Sequence, residues 1–117
     1  MKKKVLYVDD EYPNRLIFEL TYEDEFEILL AESADEALDM LGANADISVV
    51  ITDMRMPGKN GLTLVKEAKI KYPDVVYCLL TGFMITPEIE EALESNELNH
   101  YMVKPVEKEK ILSIVNG

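Results

Sequence analysis

The sequence predicts a three-layer α/β sandwich built on a parallel β-sheet, and three observations support this fold class. Short apolar runs rich in β-branched residues alternate five times with segments of helical period. The runs are continuously apolar instead of alternating with polar residues, which is typical of parallel strands covered on both faces. Parallel strands also require crossovers, and right-handed βαβ units place helices on both faces of the sheet.

Five segments have the composition of buried strands: residues 5–8, 26–31, 47–52, 75–80 and 98–103. The helix after the first strand is expected to begin near Pro13, with Leu16, Ile17 and Leu20 on its apolar side.

The second helix has clear signals at both ends. Ser33 and Glu36 have the spacing of a capping box, and Gly42 suits a helix C-terminus. Its apolar stripe consists of Ala34, Ala37, Leu38 and Leu41.

The remaining three helices follow the later strands. The third ends before Pro73, and Thr86 with Pro87 forms an N-cap and first-turn pair for the fourth. Their apolar residues are Leu64, Val65 and Ala68, then Ile89, Ala92 and Leu93, and finally Ile111, Leu112 and Val115.

Composition limits the classes of function. The formal charge of −11 disfavours direct nucleic-acid binding, because phosphate backbones attract cations. A single cysteine, Cys78, excludes an intramolecular disulfide, and its apolar neighbours predict burial. The apolar stretch after the basic residues 2–4 is too short for a signal peptide, and no run is long enough to cross a membrane. We therefore expect one cytoplasmic domain over residues 1–117.

Polar side chains lie at the ends of the predicted strands. Asp9 and Asp10 follow the first strand, Asp53 the third, Thr81 the fourth and Lys104 the fifth. Carboxyl ends of parallel strands meet at one edge of the sheet, where α/β proteins bind ligands. Among clustered carboxylates, either some are protonated or a cation lies between them, and oxygen ligands favour Mg²⁺ or Mn²⁺. With a lysine and a hydroxyl, this set suits phosphoryl transfer to a carboxylate.

These residues resemble the response regulator receiver family over nearly the whole chain. The most specific element is residues 53–61, DMRMPGKNG, accompanied by the acidic pair after the first strand, Thr81-Gly82 and Lys104-Pro105. The resemblance implies a flavodoxin-like, doubly wound sheet of five parallel strands in the order 2-1-3-4-5, with five helices. It also implies a two-component phosphorelay module that catalyses only its own phosphorylation and dephosphorylation and is not a turnover enzyme.

The resemblance implies a role for each acidic residue. Asp53 would be the phosphoacceptor. Asp10 and Asp53 would bind Mg²⁺ directly, together with the backbone carbonyl of Arg55, and Asp9 would act through coordinated water. Lys104 would pair with the phosphoryl group, and with Asp53 before phosphorylation.

Further implied roles concern switching. Thr81 would move its hydroxyl toward the phosphoryl group, and Tyr101 would be the aromatic switch residue on the face of helix 4, strand 5 and helix 5. Arg55 and Phe83 flank the site and would tune the lifetime of the phosphoryl group. The Lys104–Pro105 peptide is expected to be cis.

The implied partners are a sensor histidine kinase or phosphotransfer protein, an output domain or downstream protein, and a second copy in a phosphorylation-dependent homodimer. Neither nucleic acid nor membrane is expected to bind directly.

Two alternatives share parts of this pattern. An aspartyl-nucleophile phosphohydrolase presents Asp-x-Asp after the first strand and carries a cap, whereas here Asp9 and Asp10 are adjacent and the chain is short. A flavodoxin-like cofactor binder needs a phosphate-cradling loop after the first strand, where these carboxylates would repel the phosphate.

Two segments depart from the family pattern. The stretch before the fifth strand lacks the usual Gly–Ala pair, so Asn96 is expected to adopt the left-handed conformation. Residues 83–85 are unusually apolar for a loop, and they are interpreted as core rather than as an exposed binding patch.

Overall fold

The computed structural model describes residues 2–82 and 84–117, and in this part of the chain five strands alternate with five helices. The strands are β1 (Lys4–Val8), β2 (Glu27–Ala31), β3 (Ile47–Asp53), β4 (Val76–Thr81) and β5 (His100–Val103). The helices are α1 (Tyr12–Tyr22), α2 (Ala34–Ala43), α3 (Gly61–Lys71), α4 (Pro87–Glu94) and α5 (Lys108–Asn116). All strand pairs are parallel and the order is β2-β1-β3-β4-β5, which confirms the predicted topology.

The sheet separates two apolar clusters. Along β1, Leu6 and Val8 face a cluster formed with α2, α3 and α4, whereas Val5 and Tyr7 face a second cluster formed with α1 and α5. All four side chains are buried, which explains why the strand is continuously apolar. The helices therefore cover both faces, as the three-layer prediction requires.

The buried face of α1 differs from the prediction. Leu16, Ile17 and Leu20 are 37%, 62% and 62% exposed, so the expected apolar side points outward. Phe18 and Tyr22 are buried instead, because their larger rings continue a row of aromatic contacts that starts at Tyr7. The apolar residues of α1 are spread around its axis, and period alone did not identify the inward face.

The N-caps of α2 and α4 are as predicted, while the end of α2 is not. Ser33 accepts a hydrogen bond from the Glu36 amide at 3.1 Å, and Thr86 accepts one from the Ile89 amide at 3.3 Å. The Glu36 carboxylate accepts a hydrogen bond from the backbone amide of Glu32. In a capping box it would accept from the amide of the N-cap residue itself, Ser33. Gly42 lies inside α2, which continues to Ala43.

The loop between β4 and α4 is exposed where it was interpreted as core. Met84 is 86% exposed and Ile85 37%, while Phe83 lies outside the described residues. Met84 and Ile85 lie between the end of β4 at Thr81 and the start of α4 at Pro87, and their side chains are not part of either apolar cluster.

Asn96 has a φ of 64°, as expected, and ends α4. The Glu97 amide donates to the Ala92 carbonyl at 3.0 Å, and the Asn96 amide donates to the Leu93 carbonyl at 3.3 Å. This pair of bonds is a Schellman motif, in which glycine usually takes the left-handed position.

Cys78 is fully buried, and burial raises the pKa of its thiol to about 12. The thiolate is therefore disfavoured, as predicted for a core cysteine.

None of the described helices has the length and apolar character that crossing a membrane requires.

Candidate functional site: an acidic pocket at the carboxyl edge of the sheet

The strand register brings the predicted site residues to one edge. Val8 of β1 pairs with Thr52 of β3, so the next residues, Asp9 and Asp53, emerge side by side. Thr81 ends β4, and the Lys104 amide continues the ladder by donating to the Thr81 carbonyl at 2.9 Å. Asp53 and Thr81 are thus the last residues of β3 and β4. The sequence had placed each of them one residue after the end of its strand.

Three carboxylates converge at this edge. Asp9, Asp10 and Asp53 each offer an oxygen, and these oxygens lie within 4.8 Å of one another. Asp9 is completely buried, Asp53 is half-buried and Asp10 is exposed. Negative charges this close repel one another, which favours either protonation of one carboxylate or a cation among them. An all-oxygen donor set with one ligand open to solvent fits Mg²⁺, which keeps several of its waters.

A lysine supplies one positive charge to this cluster. Lys104 Nζ lies 2.9 Å from Asp53 Oδ1, and the exposed fractions of the two side chains are 36% and 13%. Burial nevertheless raises the pKa of Asp53 above its ordinary value, with the Asp9 charge adding to the effect and the Lys104 pair opposing it. The lysine therefore compensates only part of the cost of holding this carboxylate ionised.

Asp9 is held by a set of hydrogen bonds that the sequence pattern did not single out. Its Oδ2 accepts from the Tyr7 hydroxyl at 3.0 Å and from the Asn14 side-chain amide at 3.1 Å, and its Oδ1 accepts from the Glu11 amide at 3.0 Å. Arg15 donates to its backbone carbonyl at 2.8 Å. The available signal was Tyr7, because a tyrosine in a buried strand needs a partner for its hydroxyl.

The carboxylates of Asp10 and Asp53 open into a pocket of about 890 Å³. Its lining includes Asp10, Asp53, Arg55, Thr81 and Lys104. The Thr81 side chain is buried at 2% exposure, whereas Arg55 lies at the exposed rim. The peptide between Lys104 and Pro105 is cis.

Of the other two predicted residues, one lies away from the pocket and one falls outside the described residues. Tyr101 is half-buried on β5, where it packs against the cluster that includes α4 and does not line the pocket. Phe83, predicted to flank the site, is outside the described residues.

Gly61 is a site residue for steric reasons. A Cβ at this position would overlap the backbone carbonyl oxygen of Asp53 and come within 2.9 Å of Leu79 Cδ1. The Gly61 amide donates to the Met54 carbonyl at 2.9 Å, which ties the start of α3 to the end of β3. Only glycine allows this close approach behind the acidic pocket.

Comparisons with known proteins agree with the fold and the pocket. The profile of the family described as "Response regulator receiver domain" matches residues 5–116. The chemotaxis protein CheY homolog of Campylobacter jejuni is 39% identical over 120 residues, covering 96% of this chain and 92% of that protein.

A second relative is much longer. The hydrogenase transcriptional regulatory protein HoxA of Cupriavidus necator is 33% identical over 101 residues, which are 86% of this chain and 21% of that protein. The chain thus spans about a fifth of HoxA but nearly all of the CheY homolog.

A solved structure of the response regulator protein TrrA from Thermotoga maritima, in complex with Mg(2+)-BeF, superposes with a TM-score of 0.82. It is 30% identical, and the match covers 97% of this chain and 96% of that one. The match of the family profile to residues 5–116, the strand order and the acidic pocket lead to one conclusion: the chain belongs to the response regulator receiver domain family.

Proposed function

We propose that this receiver accepts a phosphoryl group on Asp53. The observation that carries the proposal is the contact of Lys104 Nζ with Asp53 Oδ1 at 2.9 Å, beside the carboxylates of Asp9 and Asp10. A half-buried carboxylate that pairs with a lysine and lines an open pocket has the surroundings that a phosphoacceptor needs.

The chemistry is a transfer and a hydrolysis. A carboxylate oxygen of Asp53 attacks the phosphorus of a phosphohistidine or of acetyl phosphate, and the bond from phosphorus to its leaving group breaks. Water later attacks the acyl phosphate and restores the carboxylate. The protein contributes position and charge, which dominate phosphoryl transfer. On this proposal the chain catalyses its own phosphorylation and dephosphorylation.

Mg²⁺ supplies positive charge for the phosphoryl oxygens when it is bound. Asp10 and Asp53 would hold it directly with the backbone carbonyl of Arg55, and Asp9 would act through coordinated water. The oxygen donors of the pocket support this assignment, as does the Mg(2+)-BeF complex of TrrA. Mn²⁺ has similar ligand preferences and could replace Mg²⁺.

Phosphorylation would add nearly two negative charges at the edge of the sheet. Thr81 and Lys104 would move toward the phosphoryl oxygens, and Tyr101 would fill the space that Thr81 leaves. Because Tyr101 packs against the cluster that includes α4, this movement would reshape the face of α4, β5 and α5. Arg55, at the rim, and Phe83 would limit the access of water to the acyl phosphate.

The partners follow from the family. A sensor histidine kinase or phosphotransfer protein would be the donor, and an output domain, a downstream protein or a second copy would respond, within the cytoplasm. HoxA shows that a receiver of this kind can form part of a longer regulator. We further propose that residues 1–117 act as one receiver unit.

The test is incubation with acetyl phosphate and Mg²⁺, followed by intact mass measurement. The wild type should gain the mass of one phosphoryl group, and Asp53→Asn should gain none. Asp39→Asn, which changes an exposed aspartate on α2, is the matched control and should behave as wild type. A wild type that stays unmodified, or an Asp53→Asn protein that gains the same mass, would refute the assignment.

A further inference from the structure

Packing of the Tyr7 ring sets the position of the hydroxyl that donates to Asp9. Tyr7 is 4% exposed, and its ring stacks on Phe18 of α1 with centroids 4.1 Å apart and planes 7° apart. From this position the hydroxyl donates to Asp9 Oδ2 at 3.0 Å. A buried ring held between the sheet and α1 has little rotational freedom, so the position of its hydroxyl is set by packing.

The hydrogen bonds of Asp9 leave its carboxylate little freedom. An ionised carboxylate has about four lone-pair positions. Oδ2 uses both of its positions for Tyr7 and Asn14, and Oδ1 uses one for the Glu11 amide. One position therefore remains, and it belongs to Oδ1.

We propose that Tyr7 and Asn14 are positioning residues that make the acidic pocket select Mg²⁺ over Ca²⁺. The inference rests on the proposed function, since it assumes that the three carboxylates hold a divalent cation. Ca²⁺ accepts six to eight oxygen ligands in flexible geometry and often takes a carboxylate through both oxygens. Mg²⁺ requires near-octahedral geometry at shorter distances and keeps its waters. A carboxylate with a single free lone-pair position on Oδ1 can accept one water of a hydrated Mg²⁺. It cannot bind Ca²⁺ through both of its oxygens.

Removing the Tyr7 hydroxyl would release this restraint. In Tyr7→Phe the ring remains stacked on Phe18, but Oδ2 regains a lone pair and the carboxylate can rotate. Rotation of the Asp9 carboxylate displaces the Oδ1 lone pair that would accept a Mg²⁺-bound water. It also makes Oδ2 available to Ca²⁺ as a second ligand oxygen. The affinity for Mg²⁺ should fall, and that for Ca²⁺ should fall less or rise.

The experiment compares Mg²⁺ and Ca²⁺ dissociation constants by following backbone amide resonances during titration of the full chain. Tyr7→Phe should weaken Mg²⁺ binding by about 10-fold, the scale typical for the loss of an outer-shell partner of a metal ligand. The ratio of the Ca²⁺ dissociation constant to the Mg²⁺ dissociation constant should therefore fall in Tyr7→Phe. Asn14→Ala, which removes the other donor to Oδ2 from a partly exposed position, should lower the ratio in the same direction.

Tyr77→Phe is the matched control. It removes another buried tyrosine hydroxyl, which donates to the Tyr72 carbonyl at 2.8 Å near the opposite end of the sheet. A general loss of stability would affect both tyrosine variants, whereas only the loss of positioning changes the ratio of the two constants. The control should keep the wild-type ratio.

The outcomes separate the two proposals. Saturable Mg²⁺ binding by wild type with an unchanged ratio in Tyr7→Phe overturns this inference alone. If Tyr7→Phe does not fold, Asn14→Ala decides, and an unchanged ratio there overturns the inference. The absence of saturable Mg²⁺ shifts in wild type overturns the proposed metal site and this inference together.

Discussion

The Nζ atom of Lys104 lies 2.9 Å from Oδ1 of Asp53, although Asp53 ends β3, Lys104 follows β5 and β4 lies between these two strands. Thr81 is the last residue of β4, the strand between them. One ion pair thus joins the ends of β3 and β5 across β4, and it holds the lysine where negative charge would grow during phosphoryl transfer.

Removing this lysine should slow phosphorylation more than it changes stability. In Lys104→Gln we expect the rate of Asp53 phosphorylation by acetyl phosphate to fall by about 10²-fold, the usual cost of losing one preorganised charge partner. The rate is measured by mass spectrometry at saturating Mg²⁺. Lys59→Gln is the control, because Lys59 pairs with Asp35 and Glu67 on the helices and should leave the rate unchanged. Equal rates for Lys104→Gln and wild type would contradict the prediction.

Asp53 should lower the stability of the metal-free protein at neutral pH. Its pKa in the folded state is raised above the ordinary 3.8, chiefly by burial, so folding favours the protonated form. The ionised form therefore costs stability at pH values above the folded pKa, and this cost disappears as the pH falls toward 3.8. With EDTA present, Asp53→Asn should therefore melt at a higher temperature than wild type at pH 7.

The pH dependence of this difference provides the check. Thermal melts between pH 7 and pH 4 should show the advantage of Asp53→Asn shrinking as the wild-type carboxylate becomes protonated. Asp39→Asn, an exposed substitution, should show no comparable trend. An Asp53→Asn protein that is less stable than wild type at pH 7 would show that the Lys104 ion pair outweighs the cost of burial.

Gly61→Ala should damage both folding and the acidic pocket. The new methyl group would overlap the carbonyl oxygen of Asp53, so either α3 or the end of β3 must move, at a cost of about 1–3 kcal/mol. Urea unfolding measures the loss, and Mg²⁺ titration measures the displacement of Asp53.

Gly42→Ala is the matched control for that substitution. A Cβ at Gly42 would approach only the Tyr72 hydroxyl, at 3.2 Å and at the far end of a side chain. Because Gly42 lies inside α2, alanine should raise the helix propensity by at most about 1 kcal/mol. The two substitutions should therefore change the free energy of unfolding in opposite directions, and equal losses would reject the steric argument.

The sheet and the positions of its polar residues could be predicted because their signals are local. Continuous apolar runs predicted parallel strands, and Asp9, Asp53 and Lys104 could be assigned to one edge once the strands were taken as parallel. The exact ends of β3 and β4 were not predicted, since Asp53 and Thr81 continue the ladder beyond the apolar runs.

What the sequence did not reveal depends on contacts between distant elements. The apolar residues of α1 lie on several sides of the helix, and packing against Tyr7 selected Phe18 over Ile17 and Leu20. The bond from Tyr7 to Asp9 was missed because an apolar strand with one tyrosine looks like any buried strand. The exposure of Met84 likewise depends on where the chain leaves the sheet, which composition does not report.

The end of α4 gives a final prediction, because Asn96 occupies its left-handed position at a φ of 64°. Alanine there should lower the free energy of unfolding by about 1 kcal/mol, since a Cβ without the local hydrogen bonding of asparagine is disfavoured in this conformation. Glycine should equal or exceed the wild type, because it adopts positive φ without steric cost. Urea unfolding of the two variants measures the difference. Alanine as stable as glycine would mean that the Schellman bonds of Glu97 and Asn96 do not hold this conformation in solution.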